Sequence, residues 1–198
     1  LFRILKKSEV KLFIQAGSSL EYGKNSSPQK EKIKCKPLSD YARAKYSTSK
    51  ILMKQNNFKY IILRLYQVFG PFQKEDRLIP ITITSCLKDK KFKCTDGKQK
   101  RDFLYVNDFV NLIVKILRRK KHISGIFNVG SGRPVRVRFI IEKIHKIIKS
   151  GEPIFGGLKM RKEEILSLYP NTNKVKKTFN WKPKVDILDG INKTVKFY

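Results

Sequence analysis

The chain has 198 residues, 40% of them hydrophobic and 11% aromatic; that is enough to bury a sizeable core and too apolar for a disordered chain. No apolar run approaches the ~20 residues of a membrane span. The formal charge of +29 invites anionic partners, but the lysines are scattered, and the two basic blocks, 88–93 and 118–122, lack the interleaved aromatics that base stacking uses, so nucleic acid is set aside.

"VKLFIQAGSS" (10–19) is a short apolar run ending in small residues, the pattern of a buried strand entering a loop. Residues 24–38 are polar and rich in Lys and Pro, a surface loop, after which Ser39 or Asp40 can cap a helix over 40–55. "YIILRLYQVFG" (60–70) reads as one buried strand stopped by Gly70-Pro71. Pro80 opens a helix reaching about residue 88, "DGKQ" (96–99) makes a turn, and 103–106 is a short strand. Residues 107–120 have a helical apolar period, 125–132 form a strand running into a glycine loop, and 137–150 form an amphipathic helix. From Gly151 on the chain is less regular and ends in the turn "NWKPK" (180–184). Strands alternating with helices indicate an α/β protein with a largely parallel sheet.

Cys35, Cys86 and Cys94 form no C-x-x-C pair, and an odd count fits reduced thiols in the cytoplasm. With only His122 and His145 available, no metal site is expected. "SDYARAKYSTSK" (39–50) holds Tyr-x-x-x-Lys twice, as Tyr41/Lys45 and Tyr46/Lys50. That spacing puts an ammonium beside a phenol on one helix face, where it can make the phenol a proton-transfer group. In so lysine-rich a chain one such match is expected by chance, so the pairs alone decide nothing.

The surrounding blocks carry more information. "SSLEYG" (18–23), "YARAK" (41–45), "RLYQVFGP" (64–71), "RDFLYVND" (101–108) and "NVGSG" (128–132) occur in order over most of the chain. Together they resemble the extended branch of the short-chain dehydrogenase/reductase superfamily, the NAD-dependent nucleotide-sugar epimerases and dehydratases. The late stretch from Arg161 to "NWKPK" is similar to that family's C-terminal segment. The resemblance puts the catalytic hydroxyl on Ser18, four residues before Tyr22. It also selects Tyr41 and Lys45 as the active pair: Lys45 lies 19 residues before Arg64, whereas Lys50 would leave only 14 for the helix to finish and a loop to reach the strand.

The resemblance further implies hydride transfer with NAD or NADP. Tyr41 passes the hydroxyl proton, Lys45 holds the nicotinamide ribose, and Ser18 bonds the reacting oxygen. Arg101 and Arg161 match positions that grip a nucleotide diphosphate; without that match, an arginine beside Asp102 reads as a surface ion pair. Gln67 stands where the family usually has Asn, and Asn128 keeps its block's amide; both are expected substrate contacts. Asp108 reads as a helix cap. In the family's 4,6-dehydratases an Asp and a Glu follow the catalytic hydroxyl; here those positions are Ser19 and Leu20. Glu21, one place late on a chain taken as extended, reads as a solvated loop charge.

No strand-glycine-loop-helix unit precedes these blocks, so a chain beginning inside a longer reading frame is expected. The expected fold is α/β: a partial Rossmann-type parallel sheet, the remaining half of a cofactor domain over 1–72, with a smaller substrate-binding portion over 73–198 and 103–130 returning to the sheet. The expected function is that of an epimerase or 4-keto reductase on a nucleotide-diphosphate sugar, in a homodimer packed through the Tyr/Lys helix. A 4,6-dehydratase and a non-catalytic basic binding module are the alternatives.

Overall fold

A computed structural model describes residues 2–5, 7–162 and 164–198. In chain order it contains α1 (Phe2–Leu5), β1 (Leu12–Ser18), a 3-10 turn (Ser19–Tyr22), α2 (Asp40–Met53), β2 (Lys59–Leu65), β3 (Gln67–Phe69), α3 (Leu78–Leu87) and β4 (Lys91–Lys93). There follow β5 (Lys100–Tyr105), α4 (Val106–Leu117), β6 (Gly125–Val129), β7 (Pro134–Arg136), α5 (Val137–Ile148), β8 (Glu152–Ile154), β9 (Ser167–Leu168), α6 (Asn173–Phe179) and α7 (Ile187–Val195).

Strands β1, β2 and β6 form a parallel sheet with β2 in the middle, in a register that aligns Ala16 with Leu63 and Leu63 with Phe127. Residues 125–129 thus come back to the first strands after more than fifty intervening residues. A second sheet has the order β3-β5-β7, with β9 also paired to β5; β4 and β8 make a separate two-stranded ribbon. Buried runs such as Ile61, Ile62 and Leu63 are what a parallel strand covered on both faces requires. Apolar faces of α4 and α6 close over the first sheet through Leu112, Ile116, Val175 and Phe179. Ile79, Ile83, Ile140, Ile144 and Ile191, from α3, α5 and α7, cover the second.

Two expectations are corrected. The run 60–70 is not one strand: it leaves the first sheet after Leu65 and enters the second at Gln67. Tyr66 makes the transfer, its N–H donating to the Val129 carbonyl (3.1 Å) and its hydroxyl to Gln29 Oε1 (2.7 Å). Nor does the chain end in a turn. Asp186 caps α7 by accepting the Leu188 N–H (2.9 Å). Gly190 lets that helix press onto the sheet, where a Cβ would lie 2.8 Å from the Phe69 ring.

Candidate active site

β1 ends at Ser18, at the C-terminal edge of a parallel sheet, where α/β folds bind ligands. The chain turns there because Ser18 and Glu21 form a capping box. The Ser18 Oγ accepts the Leu20 N–H (3.2 Å), and Glu21 Oε1 accepts the Ser18 N–H (2.9 Å). Ser18 is buried, and its own hydroxyl proton has no acceptor among the described residues.

Across from it, Ser39 caps α2 by accepting the Ala42 N–H (3.2 Å), which sets Tyr41 in the first turn and Lys45 one turn on. Both Tyr/Lys pairs have the ammonium over the ring, at 5.7 Å for Lys45 over Tyr41 and 5.1 Å for Lys50 over Tyr46. The pairs differ in what else the lysine reaches. Lys45 Nζ donates to the Ala16 carbonyl on β1 (2.8 Å), tying the helix to the strand that ends in Ser18. Tyr41 is 55% exposed, and its hydroxyl makes no hydrogen bond among the described residues.

Gln67, Arg101 and Arg161 line one cavity of about 420 Å³, together with Leu20 and Ala42, the neighbours of Ser19 and Tyr41. Gln67 and Arg101 also line an adjoining cavity of about 270 Å³. Arg101 does not pair with Asp102. Its guanidinium meets the Glu164 carboxylate and donates to the Ile165 carbonyl (2.7 Å), and burial pulls its pKa below the ordinary arginine value. Asp102 is fully buried and accepts the Ser131 and Gly132 N–H groups (2.5 and 2.6 Å), so it holds the glycine loop; burial raises its pKa above 3.8.

Asn128 is fully buried: Oδ1 accepts the Tyr22 hydroxyl (2.8 Å), Nδ2 donates to the Gln29 carbonyl (2.8 Å) and its N–H donates to Glu31 (2.9 Å). Two further readings change. Asp108 does not cap α4. It is buried inside the first turn and accepts the Lys184 and Val185 N–H groups (3.0 and 2.9 Å), anchoring the C-terminal segment. Glu21 is no solvated charge. It is 0% exposed and forms an ion pair with the equally buried Arg64 (3.0 Å). Arg64 in turn stacks 4.5 Å from the Tyr22 ring, and burial pushes the Tyr22 phenol up to about 12. The Ser-x-x-Glu spacing of a capping box was the available signal for Glu21.

Among the described residues no three His, Cys, Asp or Glu side chains gather to hold a metal, and no helix is long and apolar enough to cross a membrane. Residues 1–130 match the NAD dependent epimerase/dehydratase family. The chain belongs to that family. Over 148 residues it is 32% identical to the CDP-abequose synthase of Salmonella typhimurium, covering 71% of this chain and 49% of that protein. It is 28% identical to the UDP-glucuronate 4-epimerase of Thermodesulfobacterium geofontis, covering 98% and 61%. The crystal structure of UDP-glucuronic acid 4-epimerase from Bacillus cereus, in complex with UDP-glucuronic acid and NAD, superposes with a TM-score of 0.92 at 28% identity, over all of this chain and 64% of that one. The chain therefore spans about half to two-thirds of the length of these relatives.

Proposed function

We propose that the protein carrying this chain transfers hydride between NAD or NADP and a carbinol of a nucleotide-diphosphate sugar, as an epimerase or a 4-keto reductase. The observation that carries this reading is Lys45, anchored to the Ala16 carbonyl at the end of β1 and lying under the exposed Tyr41 ring. Its ammonium has three donors and gives one to Ala16, leaving two for the hydroxyls of a ribose, so the residues present fit a nicotinamide nucleotide. When bound, that cofactor supplies the hydride acceptor or donor. Tyr41 moves the carbinol proton, and Ser18, with its proton unclaimed, bonds the reacting oxygen. Arg101 and Arg161 border the same cavity as Gln67 and take the diphosphate and sugar. The three free cysteines fit a cytoplasmic protein. Exposed Ile51 and Met53 on α2 fit a homodimer packed through that helix.

Water elimination needs an acid and a base beyond Tyr41. Ser19 and Leu20 cannot exchange a proton at neutral pH, and Glu21 is committed to Arg64. These features support oxidation or reduction without dehydration. In the full-length protein, Tyr41→Phe should lower turnover by ~100-fold or more, while Tyr46→Phe leaves it largely intact. Steady-state kinetics on both decide the pair, and equal losses would overturn it. Incubation with nucleotide-glucose substrates and NAD should give no product lighter by one water in mass spectrometry; a stoichiometric 4-keto-6-deoxy product would make the dehydratase reading correct.

A further inference from the structure

We infer that Glu21 is a positioning residue, whose carboxylate sets the distance between Ser18 on β1 and the turn of α2 that carries Lys45. This inference rests on the reaction proposed above. The two oxygens of Glu21 divide their work. Oε1 accepts the Ser18 N–H (2.9 Å) and so holds the strand end. Oε2 accepts Arg64 Nε–H from β2 (3.0 Å) and the Ser49 hydroxyl from α2 (3.1 Å). Ser49 lies one turn beyond Lys45 on α2, and its hydroxyl also faces the Lys45 carbonyl (3.1 Å). One carboxylate thus connects the backbone of Ser18 to the helical turn of Lys45, with Arg64 fixing it to the centre of the sheet.

The chemistry demands an ionised carboxylate. Only that group accepts from three donors through two oxygens without offering a proton of its own. A glutamine would turn an N–H toward Arg64 or toward Ser18. Space is equally restrictive: a Cβ on Gly17 would lie 2.8 Å from Glu21 Oε1, so the carboxylate rests directly on the strand backbone. Reaction at one sugar carbon needs Ser18 and Tyr41 to converge on the same oxygen, and errors of about 1 Å in such placements cost up to ~100-fold in rate.

Substituting Glu21 itself would strand the Arg64 charge and endanger folding, so the test cuts one end of the connection. Ser49→Ala removes the α2 end together with the Gln15 Nε2–H bond to the Ser49 hydroxyl (3.3 Å), a bond that Gln15→Met removes without touching Glu21 and whose loss alone should leave kcat within about twofold. Tyr22→Phe removes a hydroxyl of the same buried network that reaches Asn128 on β6 (2.8 Å) and leaves α2 untouched. Both should lower Tm to a similar degree. Ser49→Ala should reduce kcat roughly ten- to hundredfold with KM for the nucleotide sugar within about twofold, while Tyr22→Phe keeps kcat within about twofold. Parallel changes in kcat for the two variants overturn the inference. A second measurement is independent of the substrate: the Nζ protons of Lys45, which donate to the Ala16 carbonyl (2.8 Å), should exchange with water faster in Ser49→Ala and not in Tyr22→Phe. If the wild type turns over no nucleotide sugar, the proposed function fails by itself. An unchanged Lys45 signal in Ser49→Ala then overturns the positioning role on its own evidence.

Discussion

Beneath α4 and α6 the interior is filled by Leu63, Leu112, Ile116, Phe127 and Val175, none more than 2% exposed. At the ends of β1, β2 and β6, space just as deeply buried is filled by Glu21, Gln29, Arg64 and Asn128, again none above 2%. The apolar region is held by many small contacts, each of which can be weakened alone. The polar region is held by a few bonds in two strings: Ser49 to Glu21 to Arg64, and Tyr22 to Asn128 to Gln29. In such a network one cut strands a partner in low dielectric. Both sides supply stability, and the Ser49–Glu21–Arg64 string also ties Ser18 to the turn of α2 that carries Lys45.

The sharpest way to separate the two is to strand a charge. Arg64→Met leaves Glu21 buried without its counter-ion and should cost ~3–5 kcal/mol in urea unfolding. Adding Glu21→Gln should restore about 1–2 kcal/mol, because the uncompensated charge is gone. Leu112→Ala should cost a comparable ~2–5 kcal/mol, but no second truncation beside it should give stability back. A double variant less stable than Arg64→Met alone would show that the pair does not act as a unit.

Alkaline pH separates the regions next. The Tyr22 phenol titrates at about 12 in the folded protein against an ordinary value of 10.0. The folded state therefore keeps the proton that the unfolded chain releases. The stability this confers is complete below pH 10 and is lost as pH rises toward 12, a span worth roughly 2–3 kcal/mol. Tyr22→Phe should flatten that part of the stability–pH curve, whereas Leu112→Ala should shift the curve downward without changing its slope. The smallest effect is expected at Gln15, whose buried Oε1 has no hydrogen-bond partner among the described residues. Gln15→Met gives up the amide bonds to Lys45 and Ser49 but removes an orphaned acceptor. Its thermal unfolding should stay within about 1 kcal/mol of wild type.

Much of the apolar half was legible in the sequence. The period of 107–120 and 137–150 predicted α4 and α5, and the run 10–19 predicted β1. The transfer at Tyr66 was not, because the mostly apolar run 60–70 reads as one long strand, and sheet membership is decided by partners far along the chain. α7 was missed because its buried face rests on few residues, Gly190, Ile191 and Thr194, set among polar ones. At the candidate site, Ser18, Tyr41, Lys45, Gln67, Arg101 and Arg161 could be named from motif order. The differences fall on Glu21 and Asp108, whose partners Arg64, Lys184 and Val185 lie far along the chain. Glu21 was misread on the assumption of extended backbone, where neighbours alternate in direction; the chain instead closes into a 3-10 turn at Ser19, bringing Glu21 back under Ser18.

Arg101 adds a consequence for how an anion enters the cavity. Its guanidinium is already engaged by the Glu164 carboxylate and the Ile165 carbonyl. A diphosphate reaching Arg101 would therefore substitute for one anion with another, as an incoming ligand displaces a resident one. The carboxylate leaving Arg101 is three residues from Arg161 on the same strip of cavity wall, so the substitution frees a negative side chain beside the second arginine. If the cavity takes the diphosphate proposed above, capture at this wall is a competition in which the protein supplies its own rival, and the exchange would favour ligands carrying more charge than a single carboxylate.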